Sequence, residues 1–257
     1  MTAQAGNPPI TPDEIESRFA NRRMDDAAST YLHCHSKRYA RLTALVKELA
    51  QTFLETRIRI ADIGPSFFTE LLFQQFPHAE VVAVGYRHEE SRGGHLPEAV
   101  DLHRIEFHHF DLNDSRLQEQ WITVSPCHIV ILAEVIEHLH IAPTSMLEFL
   151  KTMLADRGYL IVQTPNAASL VKRISLLSGR NPYEMIRENN ENPGHFHEYT
   201  KRELLDLARA CGFEVHLFEY ENYFNRMNTA ERAYGFVQSF APRSCRDGIT
   251  LVLRKPK

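Results

Sequence analysis

The chain contains no Cys-x-x-Cys pair. Its four cysteines, Cys34, Cys127, Cys211 and Cys245, are widely spaced. That spacing argues against a zinc ribbon or a dithiol redox motif and fits reduced thiols in a cytoplasmic compartment. No apolar run approaches the ~18 residues of a membrane helix. The N-terminus carries Asp13 and Glu14 early and has no apolar h-region, so no secretory signal is expected. An excess of positive charge is missing too. The 29 Lys and Arg stand against 33 Asp and Glu, a formal net charge of -4, and there is no clear basic stripe. Both facts weigh against wholesale binding of nucleic acid. Internal repeats and low-complexity tracts are also absent.

What is present is ordinary for a globular protein: 257 residues, 43% hydrophobic and 24% charged. That is enough chain to bury a substantial core in one large domain, or in one domain with an added segment. Residues 1–11 read as a loose tail. A helix is expected to start at Thr11 or Pro12, with Asp13 and Glu14 in its first turn. A second helix is marked by Tyr39, Leu42, Leu45, Val46, Leu49 and Phe53 at helical spacing. Residues 1–55 therefore read as a tail and helical cap, and 56–257 as the main domain.

In the main domain, strands are expected at 59–64, 80–85, 104–110, 128–132, 158–164, 213–218 and 248–253. Helices are expected at 69–76, 146–154, 168–177, 201–210 and 229–240. A polar stretch, 87–100, has no clear assignment, and an insertion rich in Asn, Pro and Arg fills 166–200. This alternation predicts an α/β fold: a Rossmann-like, mostly parallel seven-stranded sheet with helices on both faces.

The central stretch is His128-Ile129-Val130-Ile131-Leu132-Ala133-Glu134-Val135-Ile136-Glu137-His138-Leu139. Its apolar run reads as a strand buried on both faces. The residues after it fit the first turn of a helix, where carboxylates are favoured. Glu134 then stands at the carboxyl end of a central strand, with Glu137 and His138 at helical spacing from it. In open α/β sheets, ligands bind in the crevice at that edge. A second polar cluster, His195-Phe196-His197-Glu198-Tyr199-Thr200, lies in the insertion and is expected to fold back over the same rim. Glu134, Glu137, His138 and His195 form a mixed carboxylate–imidazole set that suits Mg2+, Mn2+ or Zn2+. The competing reading has Glu134 lining a ligand pocket, Glu137 capping the next helix and His138 packing beside it. Without a metal, His138 or His195 is the candidate general base.

Ala61-Asp62-Ile63-Gly64, Phe110-Asp111-Leu112, Ala133 to Leu139, Thr164-Pro165-Asn166, Tyr199-Thr200-(x)2-Glu203-Leu204 and Ala210 to Val215 occur in a recognisable order. That order resembles the class I S-adenosylmethionine (SAM) methyltransferases, in particular the branch that includes the ubiquinone-biosynthesis O-methyltransferases. The resemblance implies that Asp62, Gly64, Pro65 and Ser66 border the methionine part of SAM. It places Asp111 at the adenine amine with Leu112 beside the ring, and Ala133 and Glu134 under the cofactor, facing the acceptor. Gly85 and Tyr86 occupy the place of the family's ribose-binding acid, for which Glu89 or Glu90 could substitute. The family's Asp-x-Gly-x-Gly-x-Gly loop keeps only its first glycine here, and Phe68 replaces the third. The Glu-x-x-Glu-His block with a distant histidine also resembles the metal-dependent small-RNA 2'-O-methyltransferases.

Weaker candidates are Arg173 and Arg180 beside the insertion helix, His108 and His109 next to Asp111, and His33 and His35 around Cys34. Tyr220, Tyr223, Phe224 and Met227 could wall an acceptor pocket or simply join the core. The reading that follows is a SAM-dependent methyltransferase acting on a hydroxyl of a small molecule or a sugar-containing intermediate. Glu137, His138 and His195 are its catalytic candidates. Its rivals are a metal-dependent RNA 2'-O-methyltransferase and a methyltransferase fold that binds without turnover.

Overall fold

The computed structural model describes residues 9–55, 57–86, 105–188 and 194–257. Seven strands form one sheet: β1 (Arg59–Ile63), β2 (Glu80–Gly85), β3 (Glu106–His109), β4 (Cys127–Ala133), β5 (Leu154–Pro165), β6 (Glu214–Glu221) and β7 (Gly248–Arg254). Their order is β3-β2-β1-β4-β5-β7-β6. The β1–β5 pairings are parallel, and β7 runs antiparallel between β5 and β6. The expected doubly covered, mostly parallel sheet is the fold observed. From β1 the chain steps outward to β2 and β3, then returns to the other side of β1 as β4. The carboxyl ends of β1 and β4 therefore flank the topological switch point, where a ligand crevice belongs.

Helices α1 (Pro12–Phe19), α2 (Asp26–Ala50) and α3 (Phe67–Gln75) cover one face. Leu42 and Leu45 of α2 pack there with Phe67 and Phe68 of α3 over Ile60, Ile129 and Ile131. The other face is covered by α4 (Pro143–Met153) and α6 (Lys201–Ala210), over Ala61, Val130, Leu132 and Leu160. Two further helices, α5 (Leu170–Leu177) and α7 (Thr229–Ser239), bury almost nothing: no residue of α5 and only Gln238 of α7.

Helix α1 starts at the expected place, closed by a capping box in which Thr11 and Glu14 satisfy each other's backbone. Helix α3 starts earlier than expected, because Ser66 accepts from Phe68 N–H and Thr69 Oγ1 accepts from Ser66 N–H. Helix α2 ends before Phe53, whose ring instead packs edge-on against His128 and Tyr159. After β4 no α-helix begins. Glu134 takes a left-handed backbone (φ 58°), a short 3-10 turn covers Ile136–His138, and α4 waits for Pro143 at its first turn. Strand β5 begins at Leu154 rather than 158, with a register shift opposite Cys127 and Ile129 and Arg157 at φ 62°. Arg104, the 87–100 stretch and with it Glu89 and Glu90 lie outside the described residues. All four cysteines are free thiols. Among the described residues, no helix is long and apolar enough to cross a membrane.

Candidate active site

The rim above β4 is built around buried carboxylates. Glu134 is half-buried, its N–H donating to the Gln163 carbonyl across the sheet (2.8 Å). Its Oε1 accepts from the Tyr223 hydroxyl (2.8 Å), which also points at the Thr164 carbonyl (2.9 Å). Tyr223 lies flat on the backbone of β7: a Cβ at Gly248 would sit 2.3 Å from Tyr223 Cζ. Burial pushes the Glu134 carboxyl up, against the pull of Arg38 and the Tyr223 hydroxyl.

Glu137 is fully buried and does not cap a helix. Its Oε2 accepts from Thr164 Oγ1 (3.0 Å), and its Oε1 has no partner among the described residues. Burial, followed by the charge of Glu134, pushes Glu137 well above the usual carboxylate range. The insertion folds back as expected, with Phe196 N–H donating to the Glu137 carbonyl (2.8 Å). That contact seats His195 against His138, their ring centroids 4.8 Å apart.

Glu137, His138 and His195 each offer a ligand atom, all within 4.8 Å of one another. His138 Nδ1 pairs with the Gly194 carbonyl (3.1 Å) and His195 Nδ1 with Glu198 Oε1 (3.0 Å). Each pairing fixes a ring and leaves its Nε2 to serve as ligand, the outer arrangement typical of metal-binding histidines. Glu198 is held in turn by Lys172 of α5. Burial lowers His138, and burial with the neighbouring His138 takes His195 down to about 4, so both imidazoles are neutral near pH 7. A buried carboxylate oxygen without a donor, beside two neutral and oriented imidazoles, fits a divalent cation. Glu134 does not join this set. Its Oε1 accepts from Tyr223, and of the four residues expected from spacing only Glu137, His138 and His195 lie together.

The other half of the rim is formed by the ends of β1, β2 and β3. Asp62 is buried and accepts from Thr69 Oγ1 (2.6 Å). Burial takes it up to about 7, against the Thr69 bond and Arg38. Gly64 (φ +80°) and Gly85 (φ +154°) mark close backbone approaches, a Cβ on them meeting Val135 Cγ2 at 3.0 Å and Pro65 Cδ at 2.8 Å. Ser66 caps α3. Tyr86 touches the His109 ring. Asp111 caps the 3-10 turn Leu112–Arg116, accepting from Asn113 N–H (2.8 Å), and Leu112 is buried beneath it. Phe67 packs on Phe19 of α1, and Phe68 stacks on Tyr39 of α2. Phe68, at the place of the loop's third glycine, and its neighbour Phe67 thus serve to seat the helical cap.

A family model described as a methyltransferase domain matches residues 34–217. This chain belongs to that family, the class I SAM-dependent methyltransferases. No curated protein matches it by sequence. Solved structures similar to the methyltransferase include a SAM-dependent methyltransferase from Archaeoglobus fulgidus, with 15% identity over 84% of this chain and 94% of that one (TM-score 0.53). Another is the 1,6-didemethyltoxoflavin-N1-methyltransferase of Burkholderia thailandensis, solved with 1,6-didemethyltoxoflavin and S-adenosylhomocysteine bound. It shares 16% identity over 100% of this chain and 98% of that one (TM-score 0.55). A third is the CurJ carbon methyltransferase, 14% identical over 91% of this chain and 59% of that one (TM-score 0.55). At these identities the likeness concerns the fold.

Sequence reasoning gave no role to two residues of the methyltransferase's rim, Arg38 and Thr164. Arg38 of α2 is buried, with Nε and Nη1 lacking partners among the described residues. Burial opposes its charge, but Tyr39, Tyr31 and Glu134 outweigh it. Thr164 links the two carboxylate systems through its hydroxyl and its carbonyl. Tyr223, expected as acceptor wall or core, is buried and donates toward Glu134 Oε1 and the Thr164 carbonyl. The weaker histidine candidates resolve locally: His33 pairs with Glu16 and His108 with Glu106. Arg173 bonds the Ala168 and Ser244 carbonyls.

Proposed function

We propose that this methyltransferase moves the methyl group of SAM to a hydroxyl of a small molecule or sugar-containing intermediate. A divalent cation at Glu137, His138 and His195 would assist. The observation that carries this reading is the partnerless Oε1 of buried Glu137 beside two imidazoles whose Nδ1 atoms are already engaged. SAM supplies an electrophilic methyl on a sulfonium, and the cation would supply Lewis acidity toward an acceptor oxygen.

The chain's own residues do the rest. Asp62 would hold the donor's ammonium and Arg38 its carboxylate. Asp111 and Leu112 would take the adenine, with Gly64, Pro65, Ser66, Gly85 and Tyr86 bordering the rest of the donor. Ala133 and Glu134 would lie beneath the reacting methyl group. Tyr223 and the backbone at residue 134 fix the Glu134 carboxylate, so alignment for in-line transfer needs little reorganisation. Without a cation, His138 or His195 would instead offer its Nε2 to the hydroxyl proton, burial lowering both imidazoles. Resemblance to the ubiquinone-branch O-methyltransferases supports oxygen as the acceptor atom.

The same cluster also favours a second reading, 2'-O-methylation of an RNA end, whose vicinal hydroxyls could meet a cation in the same way. The net charge of -4 weighs against it. Metal analysis of purified protein should find a divalent cation in the wild type and little in Glu137→Gln or His195→Ala. Equal content in all three would remove the chelate. Calorimetry should show SAM binding that weakens about tenfold in Arg38→Ala, the scale of one charge-assisted contact. A gel shift with RNA at low salt separates the two acceptor classes.

A further inference from the structure

The methyl-transfer reading leaves one cleft of the molecule unused. It opens between α6 and the outer strand β6, with a volume of about 560 Å3, a size suited to a small molecule. Leu205 and Tyr220 give it an apolar side. The Tyr220 ring meets Phe218 at a steep angle, their centroids 5.0 Å apart. Lys201, Arg202 and Arg209 also line the cleft, against one carboxylate, Asp206. That carboxylate is shared: Arg209 holds it at 2.6 Å, and Arg202 stands 3.8 Å away. Lys201 has no carboxylate partner among the described residues, and its Nζ lies 4.7 Å from the centroid of the Phe218 ring. Arg173, whose charge reaches the Tyr220 phenol, bonds the Ala168 and Ser244 carbonyls and no carboxylate among the described residues. In a chain of net charge -4, four cations around one acid reverse the local sign.

A flat ring beside surplus positive charge selects a planar body that carries several negative charges. We propose that the α6–β6 cleft is a second ligand site, which takes a nucleoside phosphate. The base lies against Tyr220 and Leu205, and the phosphates meet Lys201, Arg202 and Arg209. An extended acidic peptide fits less well, because it needs pockets for alternate side chains rather than one ring. The donor's own nucleotide does not reach this cleft: four strand positions separate β6 from β1, roughly 19 Å at ordinary strand spacing. The site still touches the catalytic rim. Ala168 and Thr200, at the two ends of the insertion, line the cleft. They flank the Asn166–Tyr199 bridge and the Ala167 N–H bond to the Tyr199 carbonyl (3.0 Å). A bound nucleotide braces both ends of the segment that carries His195.

The test is calorimetry on the full chain without added divalent cation, its donor site saturated with S-adenosylhomocysteine. The probes are ADP, adenosine and pyrophosphate. ADP should bind with a Kd below about 1 mM, and the other two at least about tenfold more weakly. Lys201→Ala with Arg202→Ala, both exposed, should weaken ADP about tenfold and leave S-adenosylhomocysteine binding unchanged. Tyr220→Ala should weaken ADP about tenfold and spare pyrophosphate, with thermal unfolding reporting an intact fold. Amide exchange in residues 168–178 should slow when ADP binds. ADP that binds only in the absence of S-adenosylhomocysteine would belong to the donor site and overturn the proposal. ADP binding that survives both sets of substitutions would overturn it as well. Pyrophosphate binding as tightly as ADP would reduce the cleft to an anion patch, and a hexaglutamate peptide binding more tightly would assign it to an acidic protein. Unchanged exchange would overturn the link to the insertion.

Discussion

Two coverings flank the same rim, and they are built in opposite ways. The N-terminal cap buries one side of α2, from Leu32 through Leu49, against α3 and the sheet. The insertion contributes α5, which buries no residue at all. Yet each covering delivers a polar group to the site: Arg38 from the cap, and His195 with its Glu198–Lys172 support from the insertion. A residue can therefore be positioned either by packing into a core or by a chain of hydrogen bonds and ion pairs on a lightly packed segment. The first route ties function to global stability; the second leaves the outer surface of the segment free.

The sharpest way to break this contrast is a pair of truncations. Leu42→Ala, in the fully buried face of α2, should cost about 2–5 kcal/mol in denaturant unfolding, whereas Ile174→Ala on α5 should stay within ~0.5 kcal/mol. Comparable costs would mean that the insertion is as integral as the cap. A smaller effect is expected from Glu198→Ala, which removes the partner of His195 Nδ1 without touching a proposed ligand atom. Metal affinity should fall about 10–100-fold, read by competition with a chromogenic chelator. Unchanged affinity would show that packing alone sets the imidazole.

The smallest effect is a pH slope on the cap side. Burial holds the Asp62 carboxyl at about 7 in the folded chain, above its ordinary 3.8. The folded chain therefore keeps a proton that the unfolded chain gives up. Stability from this group is full below about pH 4, falls as pH rises toward about 7 and is flat beyond, at no more than about 1.4 kcal/mol per pH unit. Asp62→Asn should flatten that slope. An equal slope in wild type and variant would place the titration elsewhere.

How much could be read in advance follows the same division. The strands were legible because β-branched runs such as Ile129-Val130-Ile131 leave few alternatives, and α6 was legible over its full length, where the structure adds a Thr200–Glu203 capping box. The start of α3 was not, since it depends on Ser66 and Thr69 bonding each other's ends. Glu137, His138 and His195 were legible as a set from residue type and order. Glu134, grouped with them by spacing, lies outside that group. Its backbone departs from the helix that the spacing assumed, and its oxygen is claimed by Tyr223, distant in sequence. Arg38 left no local signal: it reads as one more cation on an amphipathic helix until α2 lays it over the rim.

Gly248 opens β7, close to the end of the chain, yet the bare face of its peptide is the shelf on which the Tyr223 ring rests. One methyl group there would evict the phenol and release the Glu134 carboxylate, with every residue of the rim still in place. The last strand thus acts as a gauge block for the middle of the protein, and drift in the sheet's final pairing would register first as misalignment at residue 134.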